Sequence, residues 1–328
     1  MMGNTLSNST SGSKSTETSV AEEEEAVGRK RELTGRWATL VSVIAIGFSL
    51  YELYCLLYSP PNPWVLRCIH VSLVLVIGFL LMKRTQRSAK HRVPVGDIIL
   101  ACASIGVAVY VLLEFDQLVW RLTWSPTTAD AIVSTILILL VLEVTRRTVG
   151  LPMVIIAVVF LVYSWVGQFM PGFLWQRGYP WTRTAGYLLS FEGLYGMVTG
   201  ISATFIFMFI LFGALLRVSG AGDFMIKFAY SIAGRARGGP AKVADLASSL
   251  MGTISGSAVA NVVTTGSLTI PLMKKVGYKP TFAGAVEAVA STGGQIMPPI
   301  MGAGAFIMAE MIGQPYGNII IAAAIPAI

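Results

Sequence analysis

Two stretches of the C-terminal half place small polar side chains inside apolar sequence. The first is MGTISGSAVANVVTTGSLTIPLMKK, Met251 to Lys275. Ser255, Ser257, Asn261, Thr264 and Thr265 supply neutral hydroxyl and amide oxygens, the donors suited to a dehydrated Na+. Gly252 and Gly256 punctuate the run, and Pro271 is expected to interrupt its second arm. The second stretch, Gly284 to Gly313, places Ser291-Thr292-Gly293-Gly294-Gln295 just ahead of Pro298-Pro299. Two prolines remove two backbone donors and push Met297 and Pro298 out of helical geometry. A discontinuous helix follows, whose free ends offer carbonyls to cations and N–H groups to anions. Glu287 lies one helical turn before Ser291. A carboxylate there could neutralise a cation, or could equally be a hydrogen-bond partner within a helix bundle. The hydroxyl residues likewise have a second reading, as small residues that let two helices pack closely.

Enzyme chemistry finds little support. The chain contains no HExxH, GxSxG, P-loop or kinase-like signature, and direct coupling to ATP is not expected. The run Gly234-Arg235-Ala236-Arg237-Gly238-Gly239 lacks GxGxxG spacing and reads as a basic turn. Cys55, Cys68 and Cys102 have neither disulfide nor metal spacing and read as buried small hydrophobes. His70 and His91 are isolated. Glu143 is expected to pair with Arg146 and Arg147, Glu52 with Arg67, and Glu310 to be solvated.

The elements that must hold these residues are membrane helices. Hydrophobic residues make up 54% of the chain and charged residues 12%, about half the charged share of a soluble domain. The apolar residues fall in blocks of roughly 20, the length that crosses a bilayer core. Spans are predicted at about 37–58, 64–82, 95–113, 130–144, 150–170 and 194–216, with a polar loop around Asp116, Arg121 and Pro126. An interfacial segment covers 173–190. Residues 1–35, rich in Ser, Thr and Glu, form a disordered cytoplasmic tail. With the N-terminus inside, every basic residue except Arg67, Arg121, Arg177 and Arg183 falls on the cytoplasmic side. The net charge of +7 therefore serves membrane topology and calls for no nucleic acid. Lys242 and Lys274 both lie inside, and the ~31 residues between them are too few for two spans. That segment is expected to enter the membrane and return to the same side. The predicted fold is an all-α polytopic membrane protein with about seven spanning helices and one cytoplasmic-side re-entrant hairpin.

The runs TISGSAVANVVTTGSLTIPLMKKVGY and EAVASTGGQIMPPIMGAGAFIMAE closely resemble the large membrane subunit of the tripartite ATP-independent periplasmic (TRAP) transporters. They resemble most the TAXI-type permeases in which small and large membrane subunits are fused. The resemblance implies an elevator-type importer in the bacterial inner membrane, driven by Na+ (or H+) and fed by a periplasmic solute-binding protein. It implies no cofactor, and a small carboxylate substrate such as glutamate or a dicarboxylate. It places the cation at the hairpin tip, Ser255, Ser257 and Asn261, against Ser291, Thr292, Gly293 and Gly294 with Pro298 behind. Gly256, Thr264, Thr265, Glu287 and Gln295 would lie near the substrate. Residues 36–148 would be the small-subunit-like four-helix domain, 149–190 a connecting helix and interfacial segment, and 191–328 the first half of the transport domain. The family's second, inverted repeat is not in the sequence, which stops within an apolar run, so a fragment is expected. An ion channel or a non-transporting membrane scaffold are the alternative functions.

Overall fold

The computed structural model describes residues 30–85, 91–256 and 258–327. Most of the expected tail, residues 1–29, lies outside the described residues. Two compact units divide the chain, Met1–Thr199 and Gly200–Ile328. Among the described residues every regular element is helical. Six segments are long and apolar enough to cross a membrane: Arg36–Leu57, Pro63–Leu81, Val95–Leu113, Thr128–Thr148, Leu151–Phe169 and Met197–Leu216. The seventh expected span is divided between two helices, each too short to cross alone.

In the first unit the helices are α1 (Arg36–Leu57), α2 (Pro63–Leu81), α3 (Val95–Leu113), α4 (Phe115–Trp124), α5 (Thr128–Thr148), α6 (Leu151–Val166) and α7 (Trp181–Leu189). The expected loop around Asp116 and Arg121 is in fact the amphipathic α4, and the expected interfacial segment contains α7. Short-period polarity in both masks a helical stripe, with Leu118 and Leu189 fully buried. α5 starts earlier than expected because Thr127 and Asp130 form a reciprocal capping box. Cys55 and Cys68 are buried, but Cys102 is exposed on the outside of α3. In lipid, an apolar outer face costs nothing and hydropathy alone cannot tell it from core.

The core of this unit is bounded by two polar collars at opposite ends of α5, ~25 Å apart along the helix. At one end Asp130 accepts from Tyr110 at 2.7 Å and pairs with Arg121 at 3.0 Å. At the other, Asp97 pairs with Arg31 and, at 2.8 Å, with the buried Arg147. Arg147 also meets Glu143 at 2.8 Å, and Arg146 holds the same carboxylate through two bonds of 2.8 Å. Arg31 donates to the carbonyls of Phe79 (2.9 Å) and Leu80 (3.0 Å). It was expected in the disordered tail; its guanidinium instead closes the free C-terminal carbonyls of α2. Glu52, expected opposite Arg67, has its Oε1 3.0 Å from His70 Nδ1. Arg67 donates to the Tyr195 carbonyl at 3.0 Å and lies 4.1 Å from the Phe191 ring centroid.

The second unit contains α8 (Met197–Ile201), a π-turn (Ser202–Ile206), α9 (Phe207–Val218), α10 (Ala221–Ala233), α11 (Gly239–Ser255), α12 (Ala258–Lys275), α13 (Pro280–Gly293), α14 (Ala303–Met311) and α15 (Tyr316–Ala327). α10 is a further amphipathic helix, in a stretch where no element is predicted from the sequence. Ala229, Val243, Ala244, Ala247 and Ala283 are fully buried, small enough to let α10 to α13 approach closely. Phe306 of α14 stacks with Phe209 at 5.0 Å and Tyr316 at 4.4 Å.

Asp97→Asn leaves two buried guanidinium groups without their shared carboxylate. Breaking a buried pair costs about 3–5 kcal/mol, so the variant should show a clearly lower unfolding temperature in detergent. An unchanged unfolding temperature would show that the cluster is solvated and contributes little.

Candidate functional site

α11 and α12 form a helical hairpin. Side chains join its arms: Ser248 Oγ lies 2.8 Å from Thr265 Oγ1, and Asn261 Nδ2 donates to the Ser248 carbonyl at 2.6 Å. The tip requires glycine. Gly256 caps α11 at φ 61° in the left-handed region, which residues with a Cβ avoid. A Cβ there would also sit 2.9 Å from the Met301 carbonyl oxygen. Pro271 does not break the second arm: α12 continues through it to Lys275, at the loss of one backbone donor.

The break in the second stretch begins later than expected. Ser291, Thr292 and Gly293 are still helical, and the unwound segment runs from Gly294 to Gly302. Its backbone is satisfied locally, as burial demands. Gln295, Ile296 and Met297 donate three residues back to Thr292, Gly293 and Gly294 at 3.0–3.3 Å. Gly302 N–H closes the loop on the Gln295 carbonyl at 2.6 Å. The Tyr316 hydroxyl reaches the Pro299 carbonyl at 3.0 Å and that of Ile300. The peptide Pro298-Pro299 is cis, and Met301 adopts φ 64°.

Hairpin and break meet backbone to backbone. A Cβ on Gly252 would fall 2.4 Å from Gly294 Cα, and one on Gly302 would fall 3.3 Å from the Gly256 carbonyl oxygen. These distances fix why glycine stands on both sides of the crossing.

One turn deeper lies Glu287, fully buried. Its Oε1 accepts from Ser248 of α11, Thr265 of α12 and, at 3.3 Å, Ser291 of its own helix; Oε2 accepts from Thr269 of α12. Its side chain lies against Gly266, where a Cβ would come within 3.0 Å of Glu287 Cγ. Asn261 is buried too, and among the described residues its Oδ1 has no hydrogen-bond partner.

Of the residues singled out in the sequence, the structure therefore brings together Asn261, Thr265, Glu287 and Ser291, and separately Gly256 and Gly294 at the crossing. Ser255 ends α11, and Ser257 lies outside the described residues. Thr264 and Thr292 are exposed, and Thr292 Oγ1 donates back to the Ala288 carbonyl at 2.7 Å. A Cβ on Gly293 would meet nothing within 4 Å. Gln295 and Pro298 are half-buried within the break, where Gln295 acts through its carbonyl. Ser248 and Thr269 belong to the site and were overlooked. Thr269 was recoverable, since Asn261, Thr265 and Thr269 recur every four residues on one helical face. Ser248 carries no such signal without the hairpin pairing.

A glycine-turned helical hairpin set on an interrupted helix, in an all-α chain with six candidate spans, defines a polytopic membrane protein with a polar centre between broken elements. The family described as "Tripartite ATP-independent periplasmic transporter, DctM component" matches residues 136–328, and the chain belongs to that family. The chain is 37% identical over 91 residues to the C4-dicarboxylate TRAP transporter large permease protein DctM of Pseudomonas aeruginosa, covering 28% of this chain and 21% of that protein. It is 29% identical over 118 residues to the sialic acid TRAP transporter large permease protein SiaM of Vibrio cholerae, covering 36% and 28% respectively. An uncharacterized protein of Salmonella typhimurium, YgiK, is 35% identical over 91 residues, 28% of this chain and 21% of that one. The chain thus spans about a fifth of the length of the first of these relatives. No solved structure matches.

Gly252→Ala should destabilise the second unit by about 1–3 kcal/mol, because the crossing has no room for a methyl group. Gly293→Ala, into open space, should stay within about 1 kcal/mol of the parent. Thermal unfolding of the two variants side by side checks the crossing: equal behaviour would mean that the backbones do not touch there.

Proposed function

We propose that the chain is the permease of a TRAP-type importer for small carboxylates, with its N-terminus in the cytoplasm of a bacterium and its helices in the inner membrane. The observation that carries this reading is the seating of the hairpin tip at Gly256 on the break at Met301–Gly302. Two interrupted elements that meet in the membrane provide backbone carbonyls and small hydroxyls with no lipid competitor. Arms of 17 and 18 residues are ~25–27 Å long, enough for a hairpin entering from the cytoplasmic side to carry its tip deep into the bilayer core.

The coupling ion in this reading is Na+, held at the tip by Ser255, Ser257 and Asn261 with the end of α13, Ser291 to Gly294, and Pro298 behind. Gly256, Thr264, Thr265 and Gln295 line the neighbouring substrate path. A periplasmic solute-binding protein delivers the carboxylate. The fused, TAXI-type arrangement accounts for the N-terminal part: four of the six candidate spans precede Leu151, while the family match starts only at residue 136. In that arrangement residues 36–148 act as the small subunit.

Uptake of labelled carboxylates into proteoliposomes holding the full-length protein tests the proposal, with and without a Na+ gradient and a candidate binding protein. Uptake that needs both is the expected result. Uptake without the binding protein would overturn the tripartite reading, and uptake indifferent to Na+ would overturn the coupling ion. Asn261→Ala should raise the half-saturating Na+ concentration about tenfold, the equivalent of one lost hydrogen-bond-sized interaction.

A further inference from the structure

Four basic residues are expected on the outer side of the membrane, and the first unit employs them unequally. Arg67 holds the Tyr195 carbonyl and lies on the Phe191 ring. Arg121 pairs with Glu114 and Asp130. Arg183, in the first turn of α7, is exposed and forms no ion pair among the described residues; its guanidinium carbon lies 5.7 Å from the Tyr179 ring centroid. A cavity of ≈370 Å3 opens beside it, lined by Ser164, Gln176, Tyr179, Arg183, Thr184 and Tyr187. That volume falls within the ~300–1,000 Å3 typical of small-ligand pockets. A second cavity, ≈440 Å3, shares Arg183 and Tyr187 as a wall and carries the exposed Glu192, which is not ion-paired with Arg183.

The walls of the first cavity are built. The Gln176 N–H donates to the Gly167 carbonyl at 3.1 Å, and its Nε2 donates to the Tyr163 carbonyl at 2.6 Å, which folds the segment after α6 back on the helix end. Gly167 permits this, since a Cβ there would fall 2.2 Å from Gln176 Cγ. Opposite, α7 is fastened to α5 by Ser134 Oγ, which donates to the Ala185 carbonyl at 2.6 Å, and by Trp181 Nε1, which donates to Thr135 Oγ1 at 2.9 Å. Depth indicates what would enter. The candidate span runs from Leu151 to Phe169, so Ser164 lies in its last two turns, where hydrocarbon gives way to headgroups. Trp165, Trp175, Trp181 and Tyr187 are 41–62% exposed, the aromatic residues that favour this boundary. Along the rest of the span, α6 has no buried residue in its 16 positions, an apolar surface ~24 Å long.

We infer that this cavity holds a glycerophospholipid, with its phosphate on the Arg183 guanidinium and its acyl chains along α6. The ligand must be amphipathic, because a polar pocket with a single cation stands at the head of a bare apolar helix. A guanidinium presents paired donors that fit two phosphate oxygens, and the Tyr179 ring beside it favours the charged plane. The bound lipid fills the space between the end of α6 and α7, bracing a helix that buries none of its own side chains. The site rests on the membrane class of the fold and is independent of the transport reading.

Native mass spectrometry of the purified full-length protein, stripped of lipid in detergent and titrated with dioleoyl-phosphatidylglycerol, reads the site without any transport step. Arg183→Gln should weaken the tightest lipid-binding step about tenfold, the loss of one charge-assisted contact. Arg183→Lys, which keeps the charge without the fork, should fall between the two. Arg177→Gln removes an exposed charge that does not line the cavity, and should bind as wild type does. Dioleoylglycerol, with the same chains and no phosphate, should bind no better to wild type than to Arg183→Gln. Equal lipid affinity in wild type and Arg183→Gln would overturn the site, as would an equal loss in Arg177→Gln, which would reduce the effect to general surface charge. Inorganic phosphate displacing the lipid at equal concentration would also overturn it, since the pocket would then take a soluble anion.

Discussion

A hydrocarbon slab offers no water to an amide, so each backbone N–H and C=O that leaves a helix inside it must find its partner within the protein. The unwound segment Gly294–Gly302 meets that demand one group at a time. Three-residue backbone bonds extend the end of α13, Gly302 closes on Gln295, and Tyr316 reaches back over the prolines. A break is thus a small folded object in its own right, and the helices around it are placed so that it can exist.

Close approach is the second requirement, and glycine supplies it at specific points. Gly252 against Gly294 and Gly256 against Met301 and Gly302 bring two backbones into contact without side chains between them. Helix association in lipid lacks the hydrophobic driving force that packs soluble cores, so contact area between backbones and small residues has to replace it. The same logic explains the buried alanines of α10, α11 and α13. Large apolar residues such as Phe160, Trp165 and Ile210 point outward, inverting the pattern of a water-soluble protein.

Charge is distributed by the same economy. The first unit gathers buried ionic groups at the two ends of α5, Asp130 with Arg121 and Asp97 with Arg31 and Arg147, and a third pair, Glu52 with His70, joins α1 to α2. Buried pairs of this kind are weak evidence for stability, but they fix register, because the planar donors of a guanidinium meet carboxylates only in particular orientations. Among the described residues the second unit buries one carboxylate, Glu287, set among hydroxyls on three helices.

Hydropathy and the spacing of Gly and Pro by themselves determined the all-helical membrane class, the positions of six spans to within a few residues, a turn between two helices near Gly256 and the presence of a break. Each follows from local chemistry: a helix of ~20 apolar residues is the simplest way to carry a backbone through lipid, and proline in mid-helix interrupts it wherever no neighbour compensates. Amphipathic α4, α7 and α10 were not legible, because a short mixed sequence earns its helix from the surface it lies on. Pro271 was misjudged for the converse reason: α12 continues through it within the packed hairpin. The pairing of Asp97 with Arg31 and Arg147, and the gathering of Ser248, Asn261, Thr265, Thr269 and Ser291 about Glu287, were decided by tertiary structure alone. Those partners lie on different helices, and which faces meet depends on packing complementarity between segments whose separation in sequence carries no record of it.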